Sequence, residues 1–254
     1  MSIEKNEVLI ETVEGPVKIF SLNRPERHNA INLDLAESLV TALERAETDG
    51  ETKVVIVTGS GGKAFCAGQD MLEASGIEPG LADPKSSSAY LAIDRFAASP
   101  LPLIAAVNGY CYGGGAALAL SCDIRIAAQQ STFRFPGAEY GLVVGAASLP
   151  RLVGAARAKE IILTAQRFSS QQAEDWGMVN HVVPDDSVLA RSLEIAQAIA
   201  ANSSIAVTES KRVIDLATMV EEAVSNENAV NQKLRGSTEQ SDRFRTATKK
   251  VTGR

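Results

Sequence analysis

The stretch Asn108-Gly-Tyr-Cys-Tyr-Gly-Gly-Gly-Ala-Ala-Leu-Ala-Leu120 decides the fold of this chain. The apolar run from Leu103 to Val107 precedes it and predicts a buried strand, because the Asn-Gly pair that follows is typical of a turn. The alanines and leucines after Gly115 are good helix formers. Three consecutive glycines therefore lie where a strand turns into a helix.

Such a turn offers backbone donors to a ligand. The first N–H groups of a helix have no partner inside it and lie at its positive end. Because Gly113, Gly114 and Gly115 have no side chains, a ligand can approach these groups closely. The turn is compatible with half of an oxyanion hole, with a phosphate-binding loop and with a tight packing turn. An oxyanion hole needs a second donor, so a second donor segment would favour that alternative over the other two. The candidate segment is Ala64-Phe-Cys-Ala-Gly-Gln-Asp70.

Outward from this stretch, strand and helix patterns alternate through the first two-thirds of the chain. The predicted elements are a hairpin at 8–13 and 17–22, a helix at 33–46, a strand at 53–58, a mobile loop at 73–85, a helix at 86–98, a strand at 123–128, a helical turn beginning at Phe133, short helices over 145–176 that stop at Gly154 and Gly177, and a strand at 179–184. Helices alone follow. The pattern predicts an α/β core with parallel strands at 1–184 and an α-helical region at 185–254.

Composition excludes several classes of protein. A net charge of −6 over 254 residues argues against a nucleic-acid-binding protein. No apolar run approaches the roughly 20 residues that span a bilayer, and the N-terminus lacks the apolar core of a signal peptide. Cys66, Cys111 and Cys122 cannot all pair, and none has metal-ligand spacing with His28 or His181. We therefore expect a reduced, cytoplasmic protein without a metal, a nucleic-acid partner or a membrane partner.

Five short motifs extend over nearly the whole chain. They are Leu22-Asn-Arg-Pro25 with Asn29-Ala-Ile31, Ala64-Phe-Cys-Ala-Gly-Gln-Asp70, Ile104-Ala-Ala-Val-Asn-Gly-Tyr-Cys-Tyr-Gly-Gly-Gly115, Ser121-Cys-Asp-Ile124 and Asp175-Trp-Gly-Met-Val-Asn180. Together they resemble the crotonase superfamily, the enoyl-CoA hydratase/isomerase family. The resemblance implies a spiral of ββα turns with a C-terminal helical trimerisation region. It also implies an acyl-CoA thioester as ligand, with coenzyme A as part of the substrate and no other cofactor.

The resemblance assigns roles to individual residues. It implies that the backbone N–H groups of Gln69 and Gly114 form an oxyanion hole for the thioester carbonyl. It also implies a place beside coenzyme A for a further set of residues, namely Arg24, Ala64, Ala67, Gly68, Asp70, Met71, Leu72 and Gly113. Apolar positions after residue 185 support the implied homotrimer or dimer of trimers, namely Ile195, Ile199, Val207, Val213 and Val220.

The acid/base groups depart from the family pattern. Hydratases that the chain resembles carry one glutamate two residues beyond the glycine triplet and a second after a proline, twenty positions further on. Those positions are Ala117 and Gly137 here. Hydration needs one group to take a proton from water and another to deliver one to carbon, and neither alanine nor glycine can do so. Efficient hydration is therefore doubtful.

Two neighbouring side chains are possible substitutes. On a helix, Glu139 would lie about 200° from Gly137 and face away from it. Tyr140 would share the face of Gly137, as a proton donor or as a packed core tyrosine. Two functions remain open. One is an enzyme of the hydratase/isomerase family, a lyase or isomerase of fatty-acid metabolism, with altered proton-transfer groups. The other is an acyl-CoA-binding protein without turnover.

Overall fold

The structure is a computed structural model that describes residues 8–79 and 87–253. Its strands are β1 (Leu9–Glu14), β2 (Val17–Leu22), β3 (Val54–Gly59), β4 (Ala64–Cys66), β5 (Leu103–Val107), β6 (Tyr110–Tyr112), β7 (Ile124–Ala128), β8 (Thr132–Arg134), β9 (Phe168–Ser169) and β10 (His181–Val183). Its helices are α1 (Leu33–Thr48), α2 (Met71–Ala74), α3 (Ser88–Ala97), α4 (Gly114–Ser121), α5 (Pro150–Thr164), α6 (Ser170–Asp175), α7 (Val188–Ala200), α8 (Ser204–Thr218), α9 (Glu221–Leu234) and α10 (Thr238–Thr252).

A six-stranded sheet forms the centre of the molecule, in the order β1-β2-β3-β5-β7-β10. The β1–β2 hairpin is antiparallel, and every other pair is parallel. The continuous apolar sequences of β3 and β5 are explained by burial, since all of their residues are buried. Helices α1, α3 and α4 cover one face of the sheet, and α7 covers the other.

A second, four-stranded sheet has the order β4-β6-β8-β9. Each of the pairs β3–β4, β5–β6 and β7–β8 places one strand in the first sheet and the next in the second, and a helix follows. This arrangement is the predicted spiral of ββα turns. It brings β4 and β6 side by side, with Cys66 opposite Cys111, so the two motifs that follow these strands are neighbours.

Several predicted elements differ from the observed ones. Phe133 does not begin a helical turn, because it lies in β8 and pairs with Cys111. The loop predicted at 73–85 begins inside α2, and its residues 80–85, together with position 86 at the predicted start of the next helix, lie outside the described residues. Gly154 interrupts α5 with non-helical angles, as expected, whereas the short strand β9 was not predicted.

The helices after residue 185 divide into two groups. Helix α7 packs on the first sheet, and Ile195 and Ile199 are partly buried against that core, so their place at a subunit interface stays a prediction. Helix α8 is different, because none of its residues is buried and it exposes Val213 and other large apolar side chains. Helices α9 and α10 fold back over residues 138–147. A division of the chain at residue 185 stays a prediction.

Two further properties concern the described part of the chain. Among the helices of residues 8–79 and 87–253, none combines the length and apolar character that crossing a membrane requires. Within the same residues, no three His, Cys, Asp or Glu side chains cluster in a way that could hold a metal ion.

Candidate active site

The glycine turn begins where β6 ends and places the N-terminus of α4 against β4. Gly113 has φ +52°, a conformation that favours glycine, and it precedes the first residue of α4. A Cβ atom on Gly115 would lie 2.2 Å from the carbonyl oxygen of Cys66. Only glycine therefore allows α4 to approach the end of β4 this closely.

The segment after β4 is held by Ile31. The Ile31 N–H donates to the Gly68 carbonyl (2.7 Å), and the Asp70 N–H donates to the Ile31 carbonyl (2.9 Å). The side chain of Gln69 accepts a hydrogen bond from Ser87 (2.8 Å). Within the described chain, neither the Gln69 N–H nor the Gly114 N–H has a protein acceptor.

These two free N–H groups are close to each other. A Cβ atom on Gly68 would lie 3.1 Å from the Gly114 nitrogen, and one on Gly114 would lie 3.4 Å from the Gln69 nitrogen. Two unpaired backbone donors at this spacing can share one oxygen atom as acceptor. Because one of them lies at the start of α4, the helix dipole adds positive potential there.

A cavity opens one helical turn further along α4, at Ala117. Ala117 is three residues after Gly114, so the two share a helix face and are about 4.5 Å apart along the axis. Besides Ala117 and Leu120, residues of α3, α5, α8, α9 and the loop before α5 line the cavity, among them Tyr90, Asp94, Gly145, Ala147, Arg151, Lys211, Asp215 and Glu227.

Comparison with known proteins identifies the family. The enoyl-CoA hydratase/isomerase family model matches residues 12–252. The chain belongs to the enoyl-CoA hydratase/isomerase family. The crotonase resemblance drawn from the five motifs is therefore confirmed.

Individual relatives agree with this assignment. The chain is 40% identical over 191 residues to mevalonyl-coenzyme A hydratase of Aspergillus fumigatus, which covers 74% of the chain and 70% of the relative. It is 36% identical over 216 residues to short-chain-enoyl-CoA hydratase of Clostridium acetobutylicum, covering 84% and 82%. Among solved structures, an enoyl-CoA hydratase/isomerase of Pseudoalteromonas atlantica superposes with a TM-score of 0.86 at 29% identity, covering 96% and 97%.

The two positions of the hydratase glutamates lie in different surroundings. Ala117 lines the cavity, so a longer side chain there would enter open space. Gly137 is enclosed, because a Cβ atom there would lie 2.9 Å from the Leu142 carbonyl oxygen and 3.0 Å from a methyl carbon of Val144. A glutamate at position 137 would require the following loop to move, so this enoyl-CoA hydratase/isomerase family member has neither a carboxylate nor room for one there.

The substitutes considered near Gly137 are both engaged elsewhere. Glu139 forms an ion pair with Arg134 at the surface, in agreement with its expected outward direction. Tyr140 lies edge-on against Phe244 of α10, with ring centroids 5.8 Å apart. Burial raises the pKa of the Tyr140 phenol, and the Glu139 carboxylate raises it further. Tyr140 is partly exposed as well as packed on Phe244, and its role as a proton donor stays a prediction.

The structure brings Arg24 and Asp70 together in a nearly buried ion pair of 2.9 Å. Asp70 also caps α2 by accepting from the backbone of Leu72 (3.0 Å). Asn29, which the sequence analysis gave no role, is fully buried and donates to the Ala64 carbonyl (2.8 Å), so it joins the Arg24 segment to β4. These contacts position the donor segment whether or not Arg24 also reaches a nucleotide.

The remaining positions expected beside coenzyme A differ in exposure. Ala64 and Leu72 are buried in the protein, and Leu72 therefore offers little surface to a ligand. Ala67 and Met71 are partly exposed on the segment that carries the Gln69 donor. Their contact with coenzyme A stays a prediction.

The three cysteines are buried, free thiols. Burial raises the pKa of Cys66 and Cys122 to about 12, and it raises the pKa of Cys111 well above its ordinary value. A thiol that stays protonated is a poor nucleophile. The expectation that Cys66 and Cys111 are packing residues agrees with these surroundings.

Two residues of the site were missed by the sequence analysis, Glu227 of α9 and Tyr90 of α3. The Glu227 carboxylate accepts hydrogen bonds from the Gly145 N–H (2.9 Å) and the Ala147 N–H (2.7 Å). Both Glu227 and Tyr90 line the cavity beside Ala117. Neither belongs to a motif, and Glu227 lies on a polar helix, so no local signal separates it from an ordinary surface glutamate.

Proposed function

We propose that this protein binds an acyl-CoA thioester with its carbonyl oxygen between the N–H groups of Gln69 and Gly114. The observation that carries the proposal is the adjacency of these two donors, neither of which has an acceptor in the described chain. A thioester carbonyl gains negative charge when a proton leaves the neighbouring carbon. Two preorganised donors stabilise that charge without the reorganisation that water would need.

The reaction class that follows is proton transfer at the carbon beside the thioester. The pair of glutamates that hydration uses is absent at Ala117 and Gly137, whereas an enolate needs only the oxyanion hole and one base. Coenzyme A enters as part of the substrate, and the proposed chemistry uses no separate cofactor. Names of relatives such as mevalonyl-coenzyme A hydratase support a CoA thioester and leave the acyl group of this protein open.

A second function has its own observation in favour. Ala117 and the enclosed Gly137 leave the cavity without either family glutamate. A protein with an intact oxyanion hole and no proton-transfer group would bind acyl-CoA without turnover. Proton exchange between bound substrate and solvent separates this function from the first.

The experiment is a thioester panel scored separately for binding and for turnover. We expect calorimetry to show that butyryl-CoA and crotonyl-CoA bind more tightly than free coenzyme A, because only the thioesters place a carbonyl between the two donors. Exchange of the α-protons of butyryl-CoA in heavy water is then followed by mass spectrometry. Binding with exchange supports the enzyme, binding without exchange supports the acyl-CoA-binding protein, and absence of binding contradicts both.

We also propose that the protein assembles as a homotrimer or a dimer of trimers through α8. This helix and the two residues after it expose large apolar side chains that the described residues do not cover, namely Ile205, Val213, Ile214, Leu216, Met219 and Val220. At roughly 25 cal/mol per Å² of apolar surface, covering this face would favour association.

Light scattering at micromolar concentration should therefore give a mass of three or six chains. Replacing Val213 and Leu216, which share a face of α8, with glutamate should lower that mass, because each would bury a charge in the interface. The exposed surface pair Glu239 and Arg243 of α10 offers a control, and its replacement with alanine should leave the mass unchanged. A monomeric parent would contradict the proposal.

A further inference from the structure

Glu227 is one of several charged side chains in the wall of the cavity at Ala117. It reaches from α9 to the loop before α5 and accepts from two backbone N–H groups, at 2.9 and 2.7 Å. It is more than half buried. The Tyr90 phenol is close enough to interact with the carboxylate, and both line the cavity at Ala117.

The other carboxylates that line this cavity have cationic neighbours. Asp123 pairs with Lys211 at 2.9 Å, and Asp215 lies 3.4 Å from Arg151. Burial raises the pKa of Asp94, and the nearby Arg235 guanidinium opposes that rise. Glu227 forms no ion pair with a described residue. Its charge is balanced only by neutral donors, so of the four it is the carboxylate best able to exchange a proton.

Two chain segments connect the cavity to the free N–H groups. Along α4, Ala117 follows Gly114 by one helical turn. Along α3, Ala89 lies against Gly114, since a Cβ atom on Gly114 would be 3.0 Å from the Cβ atom of Ala89, and Tyr90 is the next residue. A thioester held at Gly114 would therefore extend its acyl carbons toward the cavity wall that Glu227 and Tyr90 form.

We propose that Glu227 is the catalytic carboxylate of this protein and carries out, from α9, the proton transfer for which positions 117 and 137 provide no side chain. The inference rests on the proposed function. The carboxylate takes a proton from the carbon beside the thioester, and the electron pair of that C–H bond moves toward the carbonyl oxygen at Gln69 and Gly114. The resulting carboxylic acid exchanges its proton with water and returns one to the same carbon, which completes exchange with solvent, or it delivers a proton to a conjugated carbon, which shifts a double bond. No other reactant is consumed.

The surroundings of Glu227 contain one feature that favours the protonated carboxyl group and others that favour the ionised form. Burial raises the pKa of its carboxyl group, while hydrogen bonds from Ala147, Gly145 and Tyr90 oppose that rise by stabilising the charged form. Because the base is the ionised form, the exchange rate should rise with pH through the raised pKa of Glu227 and level off above it. The other titratable or charged groups that line the cavity are Tyr90, Asp94, Asp123, Arg151, Lys211 and Asp215.

Glu227 could instead act only as an anchor for the loop. Asn231, one turn later on α9, anchors the same loop by accepting from the Val143 N–H (3.0 Å) and donating to the Val143 carbonyl (2.6 Å). It carries no ionisable group. Asn231→Ala is therefore a matched control that loosens the loop without removing a carboxylate.

The test compares Glu227→Gln with Asn231→Ala. For each folded variant, calorimetry measures butyryl-CoA binding and mass spectrometry measures α-proton exchange in heavy water. We expect Glu227→Gln to bind butyryl-CoA within about threefold of the parent but to exchange it about 10²- to 10⁴-fold more slowly, the usual contribution of a general base. The exchange rate of Asn231→Ala should stay within about tenfold of the parent rate, because the loss of a general base would cost about 10²-fold or more.

A second variant gives a readout that a purely structural role would not move. Tyr90→Phe removes the phenol that lowers the Glu227 pKa, and it leaves both backbone hydrogen bonds to Glu227 in place. Because the Glu227 pKa should then rise, the exchange rate of this variant should increase with pH over a higher pH range than in the parent. An unchanged pH range, equal losses in Glu227→Gln and Asn231→Ala, or a parent that binds butyryl-CoA without exchange would each overturn the role of Glu227. A parent that binds no thioester would overturn the proposed function itself.

Discussion

Replacing Gly114 with proline should lower the turnover of a CoA thioester by a factor of about 10² to 10³, the usual cost of losing one oxyanion-hole donor. This loss corresponds to roughly 2.7–4 kcal/mol of transition-state stabilisation. Proline lacks the N–H that we assign to the thioester oxygen. Gly114 is the first residue of α4, a position where helices accept proline readily, so the helix itself should persist. The rate is measured on the thioester that the parent exchanges or converts fastest.

The control must separate the lost donor from the added side chain. Gly114→Ala keeps the N–H but places a Cβ atom 3.0 Å from that of Ala89, and combining it with Ala89→Gly removes this contact. The turnover rate of this double variant should stay within about tenfold of the parent rate, a smaller loss than the removal of a donor causes. If the proline variant and the double variant lose turnover equally, then steric crowding, and not the missing N–H donor, controls the rate.

Hydration of crotonyl-CoA should be slow in this protein and should increase when Ala117 is replaced with glutamate. Each general acid or base contributes typically 10²- to 10⁴-fold, so two missing groups cost roughly four to eight orders of magnitude. If Glu227 fulfils one of the two roles, the deficit falls to roughly two to four orders. Ala117→Glu supplies a carboxylate at the cavity wall one turn from Gly114, and the rate is followed by loss of enoyl absorbance.

Ala117→Gln is the matched control, because it adds nearly the same volume without an ionisable group. We expect a gain of about 10²-fold or more in the glutamate variant, the lower end of a general acid or base contribution, and none in the glutamine variant. Restoring glutamate at position 137 is a poorer design, since its Cβ atom would meet the Leu142 carbonyl at 2.9 Å. A parent that already hydrates crotonyl-CoA at tens per second, the usual enzyme range, would contradict the prediction.

Sequence patterns predicted the parts of the fold that depend on local chemistry. Apolar runs such as Leu103–Val107 gave buried strands, and the triple glycine gave the strand-to-helix turn. The predictions that were wrong or missing concern residues whose structure depends on tertiary contacts. Phe133 is a strand residue because β6 is beside it, and the unpredicted strand β9 forms because Phe168 pairs with Phe133. Neither neighbour is visible in a window of a few residues.

The candidate site divides in the same way. The glycine turn before α4 could be predicted from its own turn chemistry, whereas the donor roles of Gln69 and Gly114 follow from the family resemblance and stay predictions. The absence of carboxylates at positions 117 and 137 could also be predicted. Glu227 could not, because it reaches the site from a helix ninety residues beyond Gly137 and makes its hydrogen bonds to backbone groups that any sequence would offer.

The same limit applies to the charged residues. Arg24 and Asp70 were each expected beside coenzyme A, and the structure pairs them with each other at 2.9 Å. Ion pairs between segments forty-six residues apart follow from the β-strand order, which places the Arg24 segment against the end of β4. A charged residue that can bind a ligand can equally form an ion pair with another side chain. Which of these it does depends on the fold.

The central claim is that the N–H groups of Gln69 and Gly114 hold a thioester oxygen. The most direct measurement is a crystal structure of the protein with butyryl-CoA, in which the distances from the thioester oxygen to the two nitrogen atoms are read. We predict that both distances are close to 3 Å, with the acyl carbons directed toward Ala117 and Glu227. A butyryl-CoA molecule bound with its carbonyl away from both nitrogen atoms would contradict the claim.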